Sequence, residues 1–99
     1  MKYQVVKDKA KRALVKKQEM RRLKCRYIIR STKISMPRRW HYCIRLSKLA
    51  RNGSKVRVKN RCIITGRAHS VHRQFKISRI ALRELASMGL INGVMKSSW

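Results

Sequence analysis

Acidic side chains are almost missing from this sequence. Only three of the 99 residues are Asp or Glu, whereas 28 are Lys or Arg, so the formal net charge is +25. A compact chain with so little negative charge repels itself, and the usual polyanion that relieves this repulsion in a cell is nucleic acid. Paired carboxylates for general acid–base chemistry are also absent, so we expect no enzymatic activity and no small-molecule substrate.

Cysteine is scarce as well. The chain has three cysteines, Cys25, Cys43 and Cys62, and this odd number without a C-x-x-C pair argues against a disulfide framework and indicates a reducing compartment. Cys62 could form a catalytic pair with His69 or His72, or hold zinc together with both. The spacing matches no common zinc site and offers neither a fourth ligand nor an orienting group. We therefore expect no metal and no cofactor, with Cys62 as a small buried apolar side chain.

Long apolar runs are missing too. No segment approaches the roughly 18 apolar residues of a membrane-spanning helix, so we expect no membrane partner. A membrane-active cationic peptide is the alternative for so basic a chain, but it needs a continuous apolar face. The N-terminus is basic and Lys-rich, carries Asp8 and Glu19, and has no serine before Ser31, which disfavours a cleaved transit peptide.

The pattern of helix formers predicts a mainly α-helical chain with little or no strand. Residues 2–30 contain neither Gly nor Pro and predict one long helix, which a partner holds and which frays without it. Val6, Ala10, Ala13 and Met20 recur at helical spacing, but Lys17 interrupts this stripe, which is too narrow to bury much. A second helix is expected from Pro37 to a stop at Asn52-Gly53. Its expected apolar face is Trp40, Cys43, Ile44, Ser47 and Ala50.

The segment after the second helix has a different sequence pattern. Alternating residues 54–59 predict an edge strand or an extended arm, and Thr65-Gly66 marks a turn. Ser78 is placed to cap a last helix, which Gly89 ends. We expect two parts: an extended basic helical arm, residues 1–53, and a compact C-terminal RNA-binding module, residues 54–99.

The motifs from residue 51 onward are more specific than the charge. They read RNGS at 51–54, NRCIITGR at 60–67, HSVHRQF at 69–75, SRIALRELA at 78–86 and GVMKSSW at 93–99. This series closely resembles ribosomal protein fourteen of the small subunit, a universal family. The first 50 residues agree with that family in basic character and length rather than by motif.

The resemblance distinguishes two forms of the family. The zinc form carries C-x2-C-x12-C-x2-C, and the corresponding positions here are Cys62, Thr65, Ser78 and Ala81. Only the first is cysteine, so the chain resembles the longer, zinc-free form, which implies a zinc-ribbon-like remnant without metal plus one helix. Lys76 stands where glycine is common in the family. The packing that replaces the metal is expected from Ile63, Ile64, Phe75, Ile80, Leu82 and Leu85.

The resemblance also implies a function. It indicates a structural constituent of the ribosome that binds small-subunit rRNA in the head, in the 3′ major domain, beside small-subunit proteins three, ten and nineteen. The run Ile63–Arg67 and the ending Lys96–Trp99 look most like mitochondrial members, which favours a mitochondrial ribosome over a bacterial cytoplasm or a plastid. The alternative function is a free basic DNA- or RNA-binding protein outside the ribosome.

Folded RNA is bound through phosphates, splayed bases and shape, which suits planar guanidinium groups and aromatic faces. Trp40, Tyr42 and Trp99 are candidates to stack on bases. Core packing is the alternative for each and is strongest for Trp40, on the apolar face of its predicted helix. The cationic candidates for RNA binding are Arg38, Arg39, Arg51, Lys55, Arg57, Lys59, Arg61, Arg67, Arg73 and Arg79.

Overall fold

A computed structural model describes residues 2–99, and the chain is mainly helical, as predicted. The elements, in chain order, are α1 (Lys2–Arg30), α2 (Met36–Ser47), β1 (Val71–His72), β2 (Ile77–Ser78) and α3 (Arg79–Ser87). The two strands form a short antiparallel hairpin in which Val71 pairs with Ser78. The chain makes two compact units: residues 9–58, and residues 59–99 together with the first turns of α1 up to Asp8.

Helix α1 is continuous over 29 residues, as expected for a segment without Gly or Pro. The stripe of Val6, Ala10, Ala13 and Met20 buries little, as expected from its narrowness, since all four residues are exposed. Within residues 9–58, the covered face of the helix includes the half-buried Gln18 and Arg22 and the buried Cys25. Among residues 2–99, no helix combines the length and the apolar character needed to cross a membrane.

Polar contacts explain which face of α1 is covered. Arg22 Nη2 donates a hydrogen bond to the carbonyl oxygen of Ala50 at 2.8 Å. The Gln18 side chain lies so close to Gly53 that a Cβ atom at residue 53 would overlap Gln18 Oε1. A side chain at residue 53 would therefore require the flexible Gln18 amide to move aside. Because carbonyl groups rather than apolar side chains cover the helix here, a hydrophobic stripe does not identify the face.

Helix α2 begins beside Pro37, as predicted, but it ends at Ser47 rather than at Asn52-Gly53. The Ser47 hydroxyl donates to the Ile44 carbonyl at 2.7 Å, and Leu49 N–H donates to Leu46 O, so the helix closes in a tightened last turn. The predicted apolar face is wrong except for the half-buried Cys43.

The face of α2 is set by Arg39. This side chain donates from Nε to the carbonyl oxygen of Ile29 in α1 at 2.9 Å. The face of α2 that carries Arg39 therefore points toward α1. Met36, Trp40 and Ile44 then form an exposed row one helical turn apart, and Trp40 is 69% exposed. Core packing of Trp40 is thus contradicted.

Residues 51–57 form two 3₁₀ turns, Arg51–Gly53 and Lys55–Arg57, and not the predicted edge strand or extended arm. The backbone N–H groups of Ser54 and Arg57 donate to the carbonyl groups three residues earlier, at 3.1 Å each. Alternation of Val with Lys and Arg favours a strand only where another strand supplies hydrogen bonds. No strand pairs with this segment among the described residues, so the backbone bonds locally.

The C-terminal unit is built on a turn at Cys62–Gly66. Cys62 N–H donates to Arg67 O and Gly66 N–H donates to Cys62 O, both at 2.8 Å. Gly66 has φ +77°, a left-handed conformation that glycine adopts without steric cost. Ile63 N–H donates to Lys76 O at 3.1 Å, which ties the turn to the β1–β2 hairpin. Ser78 caps α3 as predicted, because its Oγ accepts from Ala81 N–H at 3.3 Å.

The apolar core of this unit is small. Cys62, Ile77 and Ala81 are buried, and Leu82, Leu85 and Ile91 pack against them. The prediction that Leu82 and Leu85 pack in place of the metal is confirmed. The same prediction is wrong for the exposed Ile63, Ile64, Phe75 and Ile80.

Turn geometry explains the error at Ile63 and Ile64. The backbone N–H groups of Ile64 and Thr65 point at the Cys62 sulfur, so the side chains of the turn face solvent. Three of the four positions that hold metal in the zinc form make the interior instead: Cys62 and Ser78 are fully buried and Ala81 is nearly so, whereas Thr65 is exposed.

Candidate nucleic-acid interface

Positive charge dominates the surface of both units. Of the three carboxylates in the chain, only Glu19 and Glu84 are exposed, because Asp8 is buried. Asp8 Oδ1 accepts a hydrogen bond from the backbone N–H of Lys59 at 3.4 Å. One of the few negative charges is thereby turned inward, and the outward field is almost purely cationic. A surface of this kind attracts phosphate groups.

Two of the predicted arginines are brought together at the Cys62–Gly66 turn. Arg61 Nη1 donates to the Gly66 carbonyl at 3.0 Å, which fixes the guanidinium group of this half-buried side chain. Arg67 carries the carbonyl that accepts from Cys62 N–H, and its own Nε is buried without a hydrogen-bond partner. Buried N–H groups are rarely left unpaired, and this Nε can meet a phosphate oxygen only if the Arg67 side chain shifts toward solvent.

The other predicted residues of this unit lie on its surface. Lys59 precedes the turn, Arg73 lies in the hairpin connection, and Arg79 is the first residue of α3. Arg79 N–H donates to Ser70 O at 2.9 Å, so its backbone is fixed while its side chain stays exposed. Trp99 is fully exposed.

Residues 9–58 hold the remaining predicted cations. Arg38, Arg51, Lys55 and Arg57 are exposed, and the last two share one 3₁₀ turn. Arg39 differs, because its Nε donates to Ile29 O and its Nη1 contacts Met36 Sδ at 3.3 Å. Its guanidinium group therefore has an internal structural role that the sequence pattern did not indicate.

The aromatic candidates differ in accessibility. Trp40 presents its ring to solvent on the exposed row of α2. Tyr42 is half-buried, with His41 edge-on to its ring at 5.8 Å between centroids and the Arg45 guanidinium 5.9 Å from its centroid. A ring already engaged by a cation offers less free face than Trp40 or Trp99.

The four positions of the zinc form are arranged as two matching turns. Thr65 N–H donates to Cys62 Sγ at 3.4 Å, and Ala81 N–H donates to Ser78 Oγ at 3.3 Å. In each turn a side-chain atom accepts from the backbone N–H three residues later. Hydrogen bonds thus organise both halves of the ribbon-like remnant.

Among the described residues, Cys62 is the one titratable group whose environment clearly shifts its pKa. Burial raises the pKa of its thiol, but hydrogen bonds from the Thr65 side chain and from the backbone N–H groups of Thr65, Ser78 and Ile64 outweigh burial and lower it to about 6. Within residues 2–99, no three His, Cys, Asp or Glu side chains come close enough together to hold a metal ion. The alternative in which Cys62 joins His69 and His72 at zinc has no support in this arrangement.

The sequence did not predict a groove between α3 and the C-terminal tail, residues 94–97, which returns to that helix. Arg83, Lys96, Ile80 and Met95 are among its lining residues, together with the predicted Arg79. The available signal was the i, i+4 spacing of Arg79 and Arg83 and the i, i+3 spacing of Ile80 and Arg83. Nothing local in the sequence indicates that residues 94–97 return to that face.

Comparison with known proteins gives a consistent result. Residues 45–98 match the family model described as ribosomal protein S14p/S29e. The chain is 46% identical to small ribosomal subunit protein uS14m of Marchantia polymorpha over 99 residues, the full length of both chains. It is 47% identical to uS14m of Prototheca wickerhamii over 95 residues, covering 96% of each chain. It is 46% identical to uS14 of Roseobacter denitrificans over 95 residues, covering 96% of this chain and 94% of the relative.

Proposed function

Since the chain belongs to the ribosomal protein S14p/S29e family and is a structural, non-enzymatic protein of the small ribosomal subunit, we propose that it binds the rRNA of the subunit head, in the 3′ major domain. The observation that carries this proposal is the outward-facing charge of both units, with Asp8 turned inward. Phosphates brought close by tertiary folding of RNA supply the negative charge that the chain lacks.

The proposed contacts fall into two classes. Guanidinium groups whose positions are fixed, such as Arg61 on the Gly66 carbonyl, read the shape of folded RNA because they lose little conformational freedom on binding. Exposed cations supply charge. The module of residues 54–99 makes the specific contacts in this proposal, and residues 1–53 act as a basic arm. The proposed RNA-binding residues are Arg38, Arg39, Arg51, Lys55, Arg57, Lys59, Arg61, Arg67, Arg73, Arg79 and Trp99.

We further propose that the protein neighbours of the chain are small-subunit proteins three, ten and nineteen, and that its compartment is the mitochondrial matrix. The resemblance of Ile63–Arg67 and Lys96–Trp99 to mitochondrial members supports this compartment. Relatives from mitochondria and from bacteria are similarly identical to the chain, so the identities favour neither. Immunogold labelling or fractionation of source cells tests the compartment.

Footprinting tests the rRNA proposal. Small subunits are reconstituted with and without the chain, and hydroxyl-radical cleavage of the rRNA is compared. We expect protections confined to the 3′ major domain. Protections in another domain contradict the proposed position. Failure of the chain to sediment with small subunits contradicts the function itself and leaves the free nucleic-acid-binding alternative.

A charge-conserving series tests the site. Arg67→Lys and Arg73→Lys keep the charge but remove the planar fork, so we expect each to compete poorly with the unaltered chain for incorporation into subunits. Arg61→Lys also removes the bond to Gly66 O and is expected to compete worst. Lys9→Arg is the matched control and is expected to incorporate normally. Equal incorporation of all four variants means that charge alone determines binding.

A further inference from the structure

The groove between α3 and the tail is a second feature of the C-terminal unit with the form of a binding site. Its volume is about 750 Å³, and it is lined by the exposed face of α3 and by residues 94–97. Pockets that hold small ligands fall between roughly 300 and 1,000 Å³. The groove is therefore large enough for a ligand the size of one nucleotide with its flanking phosphates.

The lining combines two kinds of surface. Arg79, Arg83 and Lys96 supply positive charge from the helix and the tail. Ile80 and Met95 supply apolar surface that remains open to solvent, and Met95 is 90% exposed. Three cations outnumber the single carboxylate in the lining, so the groove favours an anionic ligand with an apolar face.

We propose that this groove receives one unpaired nucleotide of the rRNA, and the inference rests on the proposed function. The base lies against Ile80 and Met95, and its phosphates contact Arg79, Arg83 and Lys96. A duplex would meet the cations through its phosphates and leave the apolar walls in water. A nucleotide splayed out of its stack presents both an apolar face and a charged backbone, so it matches both kinds of surface.

Glu84 distinguishes an RNA ligand from an acidic peptide. Its carboxylate lines the groove and can only accept hydrogen bonds when ionised. The amino and imino groups on the edge of a base are donors that satisfy such an acceptor, as in the pairing of acidic side chains with cytosine. The ionised side chains of an acidic peptide offer it no such donor. The groove thus pairs Glu84 with the base edge and the cations with the backbone.

Photocrosslinking in assembled subunits tests this inference. A benzophenone amino acid replaces Met95 in one variant and Met88 in a matched control. Both methionines are exposed on the same unit, but Met88 does not line the groove. We expect irradiation to give an adduct at residue 95 whose added mass is removed by nuclease, several times stronger than the adduct at residue 88.

Charge variants complete the experiment. Arg83→Gln is expected to lower the RNA adduct at residue 95 several-fold while the chain still sediments with small subunits. Lys16→Gln removes the same charge from the exposed surface of α1 and is expected to leave the adduct unchanged.

Each other outcome overturns a defined claim. An adduct at residue 95 whose added mass survives nuclease places a protein in the groove, and no adduct leaves it without a ligand; both overturn the inference. An equal loss of the RNA adduct with Lys16→Gln also overturns the inference, because the effect of Arg83→Gln is then one of overall charge. Loss of sedimentation by the unaltered chain contradicts the proposed function instead.

Discussion

The two compact units of the chain are stabilised in different ways. The unit of residues 59–99 has an apolar core, in which Cys62, Ile77 and Ala81 are buried, and a turn closed by two backbone hydrogen bonds of 2.8 Å. Residues 9–58 bury one apolar side chain, Cys25. Their long-range contacts include guanidinium groups that donate to the carbonyl groups of Ala50 and Ile29.

The difference predicts how each unit responds to the loss of RNA. Apolar burial in the C-terminal unit acts at any ionic strength and opposes unfolding without a partner. In residues 9–58 the cations repel one another, and no comparable core opposes that repulsion. We therefore expect the free chain to keep an ordered C-terminal unit, while α1 loses helix in low salt and regains it when phosphate neutralises the charge.

The largest expected effect comes from removing the core. Ile77→Ala deletes a buried side chain, at a typical cost of about 2–5 kcal/mol, which a core this small cannot absorb. We expect the amide signals of residues 59–99 to collapse in an NMR spectrum of the full chain while those of residues 9–58 change little. Ile80→Ala, at an exposed position of α3, is the control and should cost under about 0.5 kcal/mol. Equal effects of the two variants contradict the assignment of the core.

A second prediction uses the Cys62 thiol. Its pKa of about 6 in the folded chain lies below the value of about 8.5 for an unfolded cysteine. The unfolded state binds more protons between these values, so stability rises with pH from about 6 to about 8.5. The stabilisation is complete above the unfolded pKa and is lost as pH falls through the folded pKa.

Thiolate absorbance near 240 nm measures this pKa in a Cys25→Ser, Cys43→Ser background. Urea unfolding at both ends of the pH window measures the stability, and Cys62→Ser should remove the difference. A titration midpoint at or above 8.5 contradicts the role of the hydrogen bonds to sulfur.

A smaller effect is expected between α1 and α2. Arg39→Lys keeps the charge and removes the Nε donor to Ile29 O, a loss of about 0.5–1.5 kcal/mol. Hydrogen exchange at the Ser31 amide, which donates to Tyr27 O at the end of α1, reports it. Arg38→Lys, at the exposed neighbouring position, should leave this exchange unchanged. Faster exchange in both variants would mean that loss of a guanidinium group anywhere in this segment loosens the turn, and that the bond to Ile29 O is not the cause.

The smallest expected effect is a gain in the stability of the C-terminal unit. Lys76 has φ +57°, in the left-handed region that costs a residue with a side chain about 1 kcal/mol. Its backbone is held there because its N–H donates to His72 O at 2.7 Å and its carbonyl accepts from Ile63 N–H. Lys76→Gly should therefore stabilise the C-terminal unit by up to about 1 kcal/mol in thermal unfolding. Arg73→Gly is the control, because it also removes one charge from the hairpin connection, and it should not stabilise the unit. A loss of stability in Lys76→Gly contradicts this strain.

Sequence reasoning succeeded where a single residue determines local geometry. Pro37 at the start of α2, Ser78 as the cap of α3 and Gly66 in its turn each act through backbone chemistry that a short motif contains. It failed on the faces of α1 and α2. The stripe rule assumes apolar neighbours, whereas the groups facing Arg22 and Arg39 are carbonyls of distant residues.

Long-range geometry explains the rest. Convergence of residues 62, 65, 78 and 81 could be predicted, because the resemblance provides their spacing. The groove could not be predicted, since it forms only where residues 94–97 return to α3. Arg83 and Lys96 carry no local sign of that return.

The exposed row of Met36, Trp40 and Ile44 has a consequence for protein turnover. Chaperones and proteases recognise apolar side chains displayed to solvent, and a chain whose order depends on a partner unfolds within their reach. Under the proposed function, copies made in excess of rRNA are the ones degraded, and bound copies are spared. The cellular amount of this protein then follows the supply of its RNA rather than the rate of its own synthesis.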